Sequence, residues 1–213
     1  MAEQYFQAQP SAQSRERRIQ VQLGETSLRF FTDNATFSKE HLDEGSRILL
    51  EALPPLGGRV ADLGCGWGPI GCFAAAKNPE AELLLLDVNQ RAAELARRNI
   101  LENGLKNAAA RAGDGSTQLP EGLSAVLTNP PIRAGKKQMY GLFAAAERAL
   151  LPGGRLYVVI RKNQGAPSAQ AYLEGLFERV ERVAREKGFW VLCCTKAQEI
   201  KDATEGGGEH EAG

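Results

Sequence analysis

Two short segments near the start of the chain alternate apolar and polar residues. Residues 18–23 (RIQVQL) and 27–31 (SLRFF) show this period of two on either side of a turn at Gly24-Glu25. Successive side chains of a strand point to opposite faces, so the pattern predicts two strands joined as a β-hairpin. This hairpin is expected to precede the main domain.

From residue 42 onwards, helical and strand-like apolar patterns alternate. A helix over 42–53 is predicted to stop at Pro54-Pro55, and near-continuous apolar runs at 83–86 and 156–160 indicate strands buried on both faces. The predicted elements that follow the first helix are strand 59–63, helix 69–77, strand 82–87, helix 90–103, strand 107–112, strand 123–128, helix 137–151, strand 155–161 and helix 168–178. This alternation predicts an α/β fold with a doubly wound, mostly parallel sheet.

The last two strands break the alternation. Residues 180–185 and 189–195 are separated only by a turn around Lys187-Gly188. Parallel neighbours need a long crossover, usually a helix, so one of these strands must run antiparallel. The predicted organisation is an N-terminal arm and β-hairpin over 1–41, an α/β domain over 42–196 and a tail over 197–213.

Composition excludes several classes of protein. The 213 residues, 43% of them apolar, suit one globular domain with tails. There is no apolar stretch of about eighteen residues and no apolar signal core at the start, so we expect a cytoplasmic protein without a membrane partner. The four cysteines lack a C-x-x-C pair and only two histidines are present, so neither a metal site nor a disulfide framework is predicted.

The acidic residues are concentrated at the carboxyl end. The formal net charge is zero, but residues 197–213 carry five carboxylates against one lysine, so the tail has a charge of −4 and the rest +4. The tail also contains three consecutive glycines and no apolar periodicity, which predicts disorder. A mild positive excess on the body is compatible with a nucleic-acid partner.

A glycine-dense turn is the most informative segment. Residues 60–71 (VADLGCGWGPIG) join a predicted strand to a helix, and the next strand ends at Asp87. Glycines allow close approach of the backbone to a ligand, and the acid can accept both hydroxyls of a ribose, which indicates a nucleoside cofactor. The spacing of Gly64, Gly66 and Gly71 departs from G-x-G-x-x-G, so a dinucleotide is disfavoured.

The order D-x-G-x-G-x-G that begins at Asp62 resembles motif I of the class I S-adenosylmethionine-dependent methyltransferases. The resemblance implies S-adenosylmethionine as the cofactor and a seven-stranded, Rossmann-like sheet with one antiparallel strand. It also implies that Asp62 helps to hold the methionine moiety, that Asp87 binds the ribose with help from Asn89, and that Asp114 accepts from the adenine amino group. For Asp114, an ordinary G-D-G turn is the alternative.

A second motif lies at the end of the strand over 123–128. The sequence Thr128-Asn-Pro-Pro-Ile132 resembles motif IV of enzymes that methylate planar nitrogens, although an isolated N-P-P also simply ends strands. The lone pair of such a nitrogen is delocalised. The resemblance implies that the Asn129 side-chain carbonyl and the Pro130 main-chain carbonyl accept hydrogen bonds from the amino group, while Pro130 and Pro131 stiffen the loop. No strong general base is required.

Two longer segments indicate a particular family among these methyltransferases. Residues 129–137 (NPPIRAGKK) and 36–46 (TFSKEHLDEGS) resemble the RsmC-like small-subunit ribosomal RNA guanine-N2 methyltransferases, over roughly residues 5–196. The resemblance implies ribosomal RNA or a small-subunit assembly particle as the partner. RsmC itself has a second methyltransferase-like domain before this one, which these 213 residues do not contain, and Ile132 stands where an aromatic residue is usual.

The resemblance assigns candidate roles to three groups of residues. The implied catalytic residues are Asn129, Pro130 and Pro131. The implied cofactor-binding residues are Phe37, Ser38, Asp62, Gly64, Cys65, Gly66, Gly68, Asp87, Val88, Asn89, Gly113, Asp114 and Asn129. The implied substrate-binding residues are Ile132, Arg133 and Lys136.

Three other functions stay open at this point. Release-factor glutamine-N5 methyltransferases share N-P-P, but they typically show tyrosine next and carry a helical N-terminal domain. A methyltransferase-like protein that binds RNA without turnover is the second alternative, although Asp62, Asp87 and Asn129 are all present. A small-molecule methyltransferase is the third, and those commonly carry an added lid over the substrate.

Overall fold

The computed structural model describes residues 16–33, 41–131 and 135–198. These residues form nine strands, five α-helices and a short 3₁₀ turn after β7. The elements in chain order are β1 Glu16–Leu23, β2 Thr26–Asp33, α1 Glu44–Ala52, β3 Gly58–Leu63, α2 Pro69–Lys77, β4 Ala81–Asp87, α3 Gln90–Glu102, β5 Ala108–Ala112, β6 Leu123–Thr128, α4 Lys136–Ala149, β7 Leu150–Arg161, α5 Ala166–Glu174, β8 Arg179–Glu186 and β9 Phe189–Thr195.

Seven strands form one sheet in the order β5-β4-β3-β6-β7-β9-β8. Strands β3 to β7 pair in parallel, whereas β9 is antiparallel to both β7 and β8. The predicted fold class, including the single reversed strand, is confirmed. The chain runs outward from β3 through β4 to β5 and then returns to β6 on the other side of β3. This reversal opens a crevice at the carboxyl ends of β3 and β6, where open α/β sheets bind their ligands.

The sheet is covered on both faces. One apolar cluster joins alternate residues of the strands to α1, α2, α3 and the N-terminal hairpin, and Phe30 and Phe73 are fully buried in it. The other cluster joins the opposite residues to α4 and α5 around Phe143 and Leu173. Because the central strands β3, β4, β6 and β9 bury most residues of both faces, their sequences are largely apolar, as expected for a doubly wound sheet.

The N-terminal hairpin packs on α3 through two asparagines. Phe31 N–H donates to Asn99 Oδ1 over 2.7 Å, and Asn99 Nδ2 donates to the Phe31 carbonyl over 2.9 Å. One helical turn later, Asn103 makes the same pair of hydrogen bonds with the main chain of Arg29. The side-chain amides thus bind β2 in the way that a neighbouring strand would, which satisfies its main-chain groups without another strand.

Two predicted boundaries are wrong. The helix predicted over 137–151 ends at Ala149, and β7 starts at Leu150 instead of at 155. Gly153 and Gly154, which suggest a turn in the sequence, lie inside this strand, and Gly153 adopts a φ of 74° there. The helix predicted over 168–178 begins at Ala166 and ends at Glu174, where Gly175 caps it. The other predicted elements are found with ends shifted by no more than two residues.

The two edges of the large sheet differ in character. Strand β5 has only five residues, whereas β8 has eight, five of which are charged (Arg179, Glu181, Arg182, Arg185 and Glu186). The Arg182 guanidinium lies 3.5 Å from the centre of the Trp190 ring on β9. Among the residues that the structure describes, no helix is long and apolar enough to cross a membrane.

Candidate active site

The glycine turn between β3 and α2 depends on left-handed backbone conformations. Gly64, Gly66 and Gly68 have φ values of 74°, 57° and 88°. Residues with a side chain rarely adopt such values, so the alternate glycines are required by the path of the chain. Gly68 also precedes α2, which begins with Pro69 at a position that suits the missing N–H of proline.

Asp62 lies at the end of β3 and is fully buried. Its Oδ2 accepts a hydrogen bond from Gly71 N–H over 2.8 Å, which ties β3 to α2. Its Oδ1 is buried and has no hydrogen-bond partner in the described structure. Burial raises the pKa of the Asp62 carboxyl to about 7. This site therefore holds an acceptor that a donor group of a ligand, or a water molecule, would satisfy.

Asp87 ends the adjacent strand β4 and is 5% exposed. Its Oδ2 accepts from Gly66 N–H and its Oδ1 from Asn89 N–H, each over 2.8 Å. Burial raises the pKa of the Asp87 carboxyl as well. Each carboxylate oxygen keeps a further lone pair, so the group can still accept from two hydroxyls of a ribose.

The other predicted cofactor residues surround these two acids. Asn89 Oδ1 caps α3 by accepting from Arg91 and Ala92 N–H, while Val88 exposes 37% of its surface. Cys65 is buried in the turn, and burial raises the pKa of its thiol. Gly113 N–H donates to the Asp87 carbonyl, and Asp114 is exposed, with its Oδ1 accepting from Ser116 N–H and Oγ.

Asn129 stands at the carboxyl end of β6, next to β3. Its Nδ2 donates to Asp43 Oδ1 over 2.9 Å and to Ser46 Oγ over 3.1 Å. The preceding residue, Thr128, donates from Oγ1 to the Leu63 carbonyl over 2.7 Å, which joins the ends of the two strands. Pro130 is buried and Pro131 is half-buried. The structure therefore brings the predicted catalytic loop to the same edge as Asp62 and Asp87.

Four of the predicted site residues, Phe37, Ser38, Ile132 and Arg133, lie outside the described residues. Lys136 is described: it is the first residue of α4 and is exposed. Across the described ranges, no group of three or more histidine, cysteine, aspartate or glutamate side chains is arranged to hold a metal ion. The four cysteines are buried and free.

The contact of Asn129 with Asp43 and Ser46 was not predicted from the sequence. Asp43 is the N-cap of α1, and an aspartate just before an apolar helical pattern is a recognisable signal for that position. The signal gives the start of the helix. It does not give the partner, which lies 86 residues away in sequence.

The chain matches the family model of the methyltransferase small domain over residues 27–193. It is 36% identical to the uncharacterized protein YbxB of Bacillus subtilis (strain 168), over 92% of this chain and 100% of that protein. It is 39% identical to ribosomal RNA large subunit methyltransferase G of Stutzerimonas stutzeri (strain A1501), over 83% of this chain and 48% of the relative.

Two further comparisons concern the small-subunit enzymes. Ribosomal RNA small subunit methyltransferase C of Stutzerimonas stutzeri (strain A1501) is 40% identical over 62% of this chain and 40% of its own length. The chain thus spans about half the length, or less, of these ribosomal RNA methyltransferases. The solved structure of the T. thermophilus 16S rRNA N2 methyltransferase (RsmC) in complex with AdoMet and guanosine is similar in fold, with a TM-score of 0.75 at 23% identity, over 89% of this chain and 52% of that one.

These matches cover most of the residues that form the sheet, the glycine turn and the Asn-Pro-Pro loop. The predicted resemblance to the class I, RsmC-like enzymes is confirmed. The chain belongs to the methyltransferase small domain family.

Proposed function

We propose that this chain transfers a methyl group from S-adenosylmethionine to the exocyclic N2 of a guanine in small-subunit ribosomal RNA. The observation that carries the proposal is the position of Asn129, whose amide stands at the end of β6 beside the strand that delivers Asp62 and the glycine turn. An acceptor for an amino group thus borders a site suited to a nucleoside. The names of the relatives support ribosomal RNA as the substrate.

The residues present fit S-adenosylmethionine. The unpartnered Oδ1 of Asp62 would accept from the ammonium group of the methionine part, directly or through water, and Asp87 would accept from the ribose hydroxyls. Gly64, at a φ of 74°, places no side chain at the start of the turn, and a Cβ added there would meet nothing within 4 Å. When bound, the cofactor supplies an electrophilic methyl group on a sulfonium. The roles predicted for Phe37, Ser38, Cys65, Val88, Asn89, Gly113 and Asp114 remain part of the proposal.

The loop after β6 would prepare the nitrogen that is methylated. The Asn129 side-chain carbonyl and the Pro130 main-chain carbonyl would each accept one hydrogen bond from the amino group. Two acceptors on the same nitrogen favour a pyramidal geometry, in which the lone pair is free to attack. The fixed φ angles of Pro130 and Pro131 limit the movement of the loop, and such positioning is a large part of catalysis in group transfer.

Exposed basic residues would position the RNA. Lys136 and Lys137 begin α4 after the catalytic loop, while Arg161 ends β7 and Lys162 follows it at the same edge of the sheet. Contacts with phosphates give affinity and register, whereas the pocket reads the base. Arg133 and Ile132 are proposed to complete the substrate site. A guanine in a loosely paired segment is the easier target, because it must leave its stack to reach the pocket. A ribosomal RNA substrate also fits the cytoplasmic location predicted from the sequence.

The proposal is tested with ribosomal RNA and assembly particles from cells that lack the protein. Tritiated methyl transfer to this RNA is expected, with N2-methylguanosine as the product identified by mass spectrometry. Asn129→Ala should abolish transfer while Asn163→Ala, an exposed asparagine in the 3₁₀ turn after β7, should retain it. Full transfer by Asn129→Ala would disprove the proposed mechanism.

The relatives are named for both ribosomal subunits, so the assay includes large-subunit RNA in a separate reaction. Transfer to that RNA alone would keep the chemistry and change the substrate. Release factors form a third reaction, because N-P-P also occurs in protein glutamine methyltransferases. If the label is found on the release factor and not on the RNA, the proposed function is wrong and the chain is a protein glutamine methyltransferase.

A further inference from the structure

We infer that Asp43 and Ser46 are positioning residues that set which way the Asn129 side-chain amide faces. The inference rests on the proposed function, since it concerns how the acceptor for the amino group is presented. Both N–H groups of the amide are used: Nδ2 donates to Asp43 Oδ1 over 2.9 Å and to Ser46 Oγ over 3.1 Å. With Nδ2 held against α1, Oδ1 is directed to the opposite side of the amide.

Asp43 decides the orientation, because a carboxylate can only accept. If the Asn129 amide turned over, its Oδ1 would face Asp43 Oδ1, and two acceptors would meet without a proton between them. Ser46 is less selective, since a hydroxyl both donates and accepts. The substrate amino group must donate to Asn129, so a turned amide would present a donor to a donor and would not bind it.

The start of α1 is held firmly enough to serve this purpose. Asp43 Oδ1 also caps α1 by accepting from Ser46 N–H over 3.1 Å. At Gly45, a Cβ atom would lie 3.0 Å from the Phe189 ring, so the first turn of α1 packs directly on β9. Arg47 pairs with Glu44 and Glu51 on α1 and with Glu186 at the end of β8. The helix is therefore held to β8 and β9 at the same edge of the sheet as the catalytic loop.

Four variants separate positioning from folding and from charge. Asp43→Asn keeps an oxygen that can cap α1 and accept from Asn129. Asp43→Ser keeps the cap but is too short to reach Asn129, since serine is a good N-cap. Ser46→Ala removes one of the two acceptors. Glu44→Gln is the matched control. It neutralises the carboxylate next to Asp43, which pairs with Arg47 and Lys187 and not with Asn129.

Turnover and cofactor affinity are measured for each variant. Asp43→Ser is expected to lower kcat by about 10- to 100-fold, in line with the cost of a misplaced group, while the Kd for S-adenosylmethionine stays within about twofold. Asp43→Asn and Glu44→Gln should stay within about fivefold of the wild-type kcat, and Ser46→Ala should lie between them and Asp43→Ser. Full activity of Asp43→Ser would overturn the inference. So would an Asp43→Asn variant as slow as Asp43→Ser, because the negative charge and not the hydrogen bond would then matter.

A second measurement does not depend on the substrate. The side-chain ¹⁵NH₂ signals of Asn129 are identified by their loss in Asn129→Ala. In Asp43→Ser these signals should shift and exchange with water faster, whereas Glu44→Gln should leave them in place. Unchanged signals in Asp43→Ser would overturn the inference. If the signals respond but no ribosomal RNA is methylated by the wild type, the proposed function fails and the orientation of Asn129 stands.

Discussion

The side-chain amide of Asn99 donates a hydrogen bond to the main-chain carbonyl of Trp67 over 2.8 Å. Trp67 lies in the glycine turn, and the same Asn99 amide is bonded to Phe31 on the N-terminal hairpin. Phe30 adds an edge-to-face contact with the Trp67 ring at 4.8 Å. One buried side chain on α3 therefore joins the hairpin to the glycine turn.

Asn99→Ala should lower the free energy of unfolding by about 2–4 kcal/mol, because several buried main-chain groups lose their partner at once. Asn103→Ala is the control: it removes the equivalent contacts with Arg29 at the exposed part of the hairpin, and a loss near 1 kcal/mol is expected, as for ordinary hydrogen bonds. Urea denaturation measures both. Equal losses for the two variants would contradict the role assigned to Asn99.

Replacing glycine by alanine should affect stability differently at Gly71 and at Gly141. A Cβ on Gly71 would lie 2.4 Å from Leu85 Cγ, so Gly71→Ala should cost about 1–3 kcal/mol of stability through overpacking. Leu85→Val in the same chain should recover part of that loss by freeing space. Gly141→Ala in α4 has nothing within 4 Å of the new Cβ and should be neutral or raise the melting temperature. Thermal unfolding of the four chains is the measurement.

The sequence predicts the fold more completely than it predicts the contacts within the site. Apolar periodicity and the short link before Phe189 were sufficient for the doubly wound sheet and its reversed strand, because both depend on local pattern and connection length. The end of α4 and the start of β7 were misplaced, since a glycine inside a strand looks like a turn. The bonds of Asn129 with Asp43, and of Asn99 with Trp67, join residues far apart in the chain. No local pattern encodes which distant polar groups meet.

Stability should depend on pH through Asp62. The folded protein holds the Asp62 proton up to about pH 7, whereas an unfolded aspartate releases it near its ordinary pKa of 3.8. Between these values the folded state binds more protons, so the contribution of Asp62 is lost as the pH rises, by up to about 4 kcal/mol in total. Asp62→Asn should remove this slope. Denaturant unfolding from pH 4 to 8 without cofactor would show it, and parallel curves for the two proteins would contradict the assignment.

Cofactor binding should release a proton from the same carboxyl. If Asp62 receives the ammonium group of S-adenosylmethionine, the carboxylate form is selected, and binding below about pH 7 expels the proton that burial retains. Calorimetric titrations at pH 6 in two buffers with different ionisation enthalpies should give different apparent enthalpies. In Asp62→Asn that difference should be smaller. A buffer-independent enthalpy for the wild type would place the ammonium group elsewhere.

The two edges of the large sheet have a consequence for the behaviour of the protein at high concentration. An unpaired strand at the edge of a sheet is a template on which another chain can add, which is a route to aggregation. Strand β5 offers only five residues to such a partner, and β8 presents charged side chains along most of its length. Each edge thus disfavours the addition of a strand from a second molecule. A wide sheet with two open edges is in this way less prone to grow by the addition of further strands.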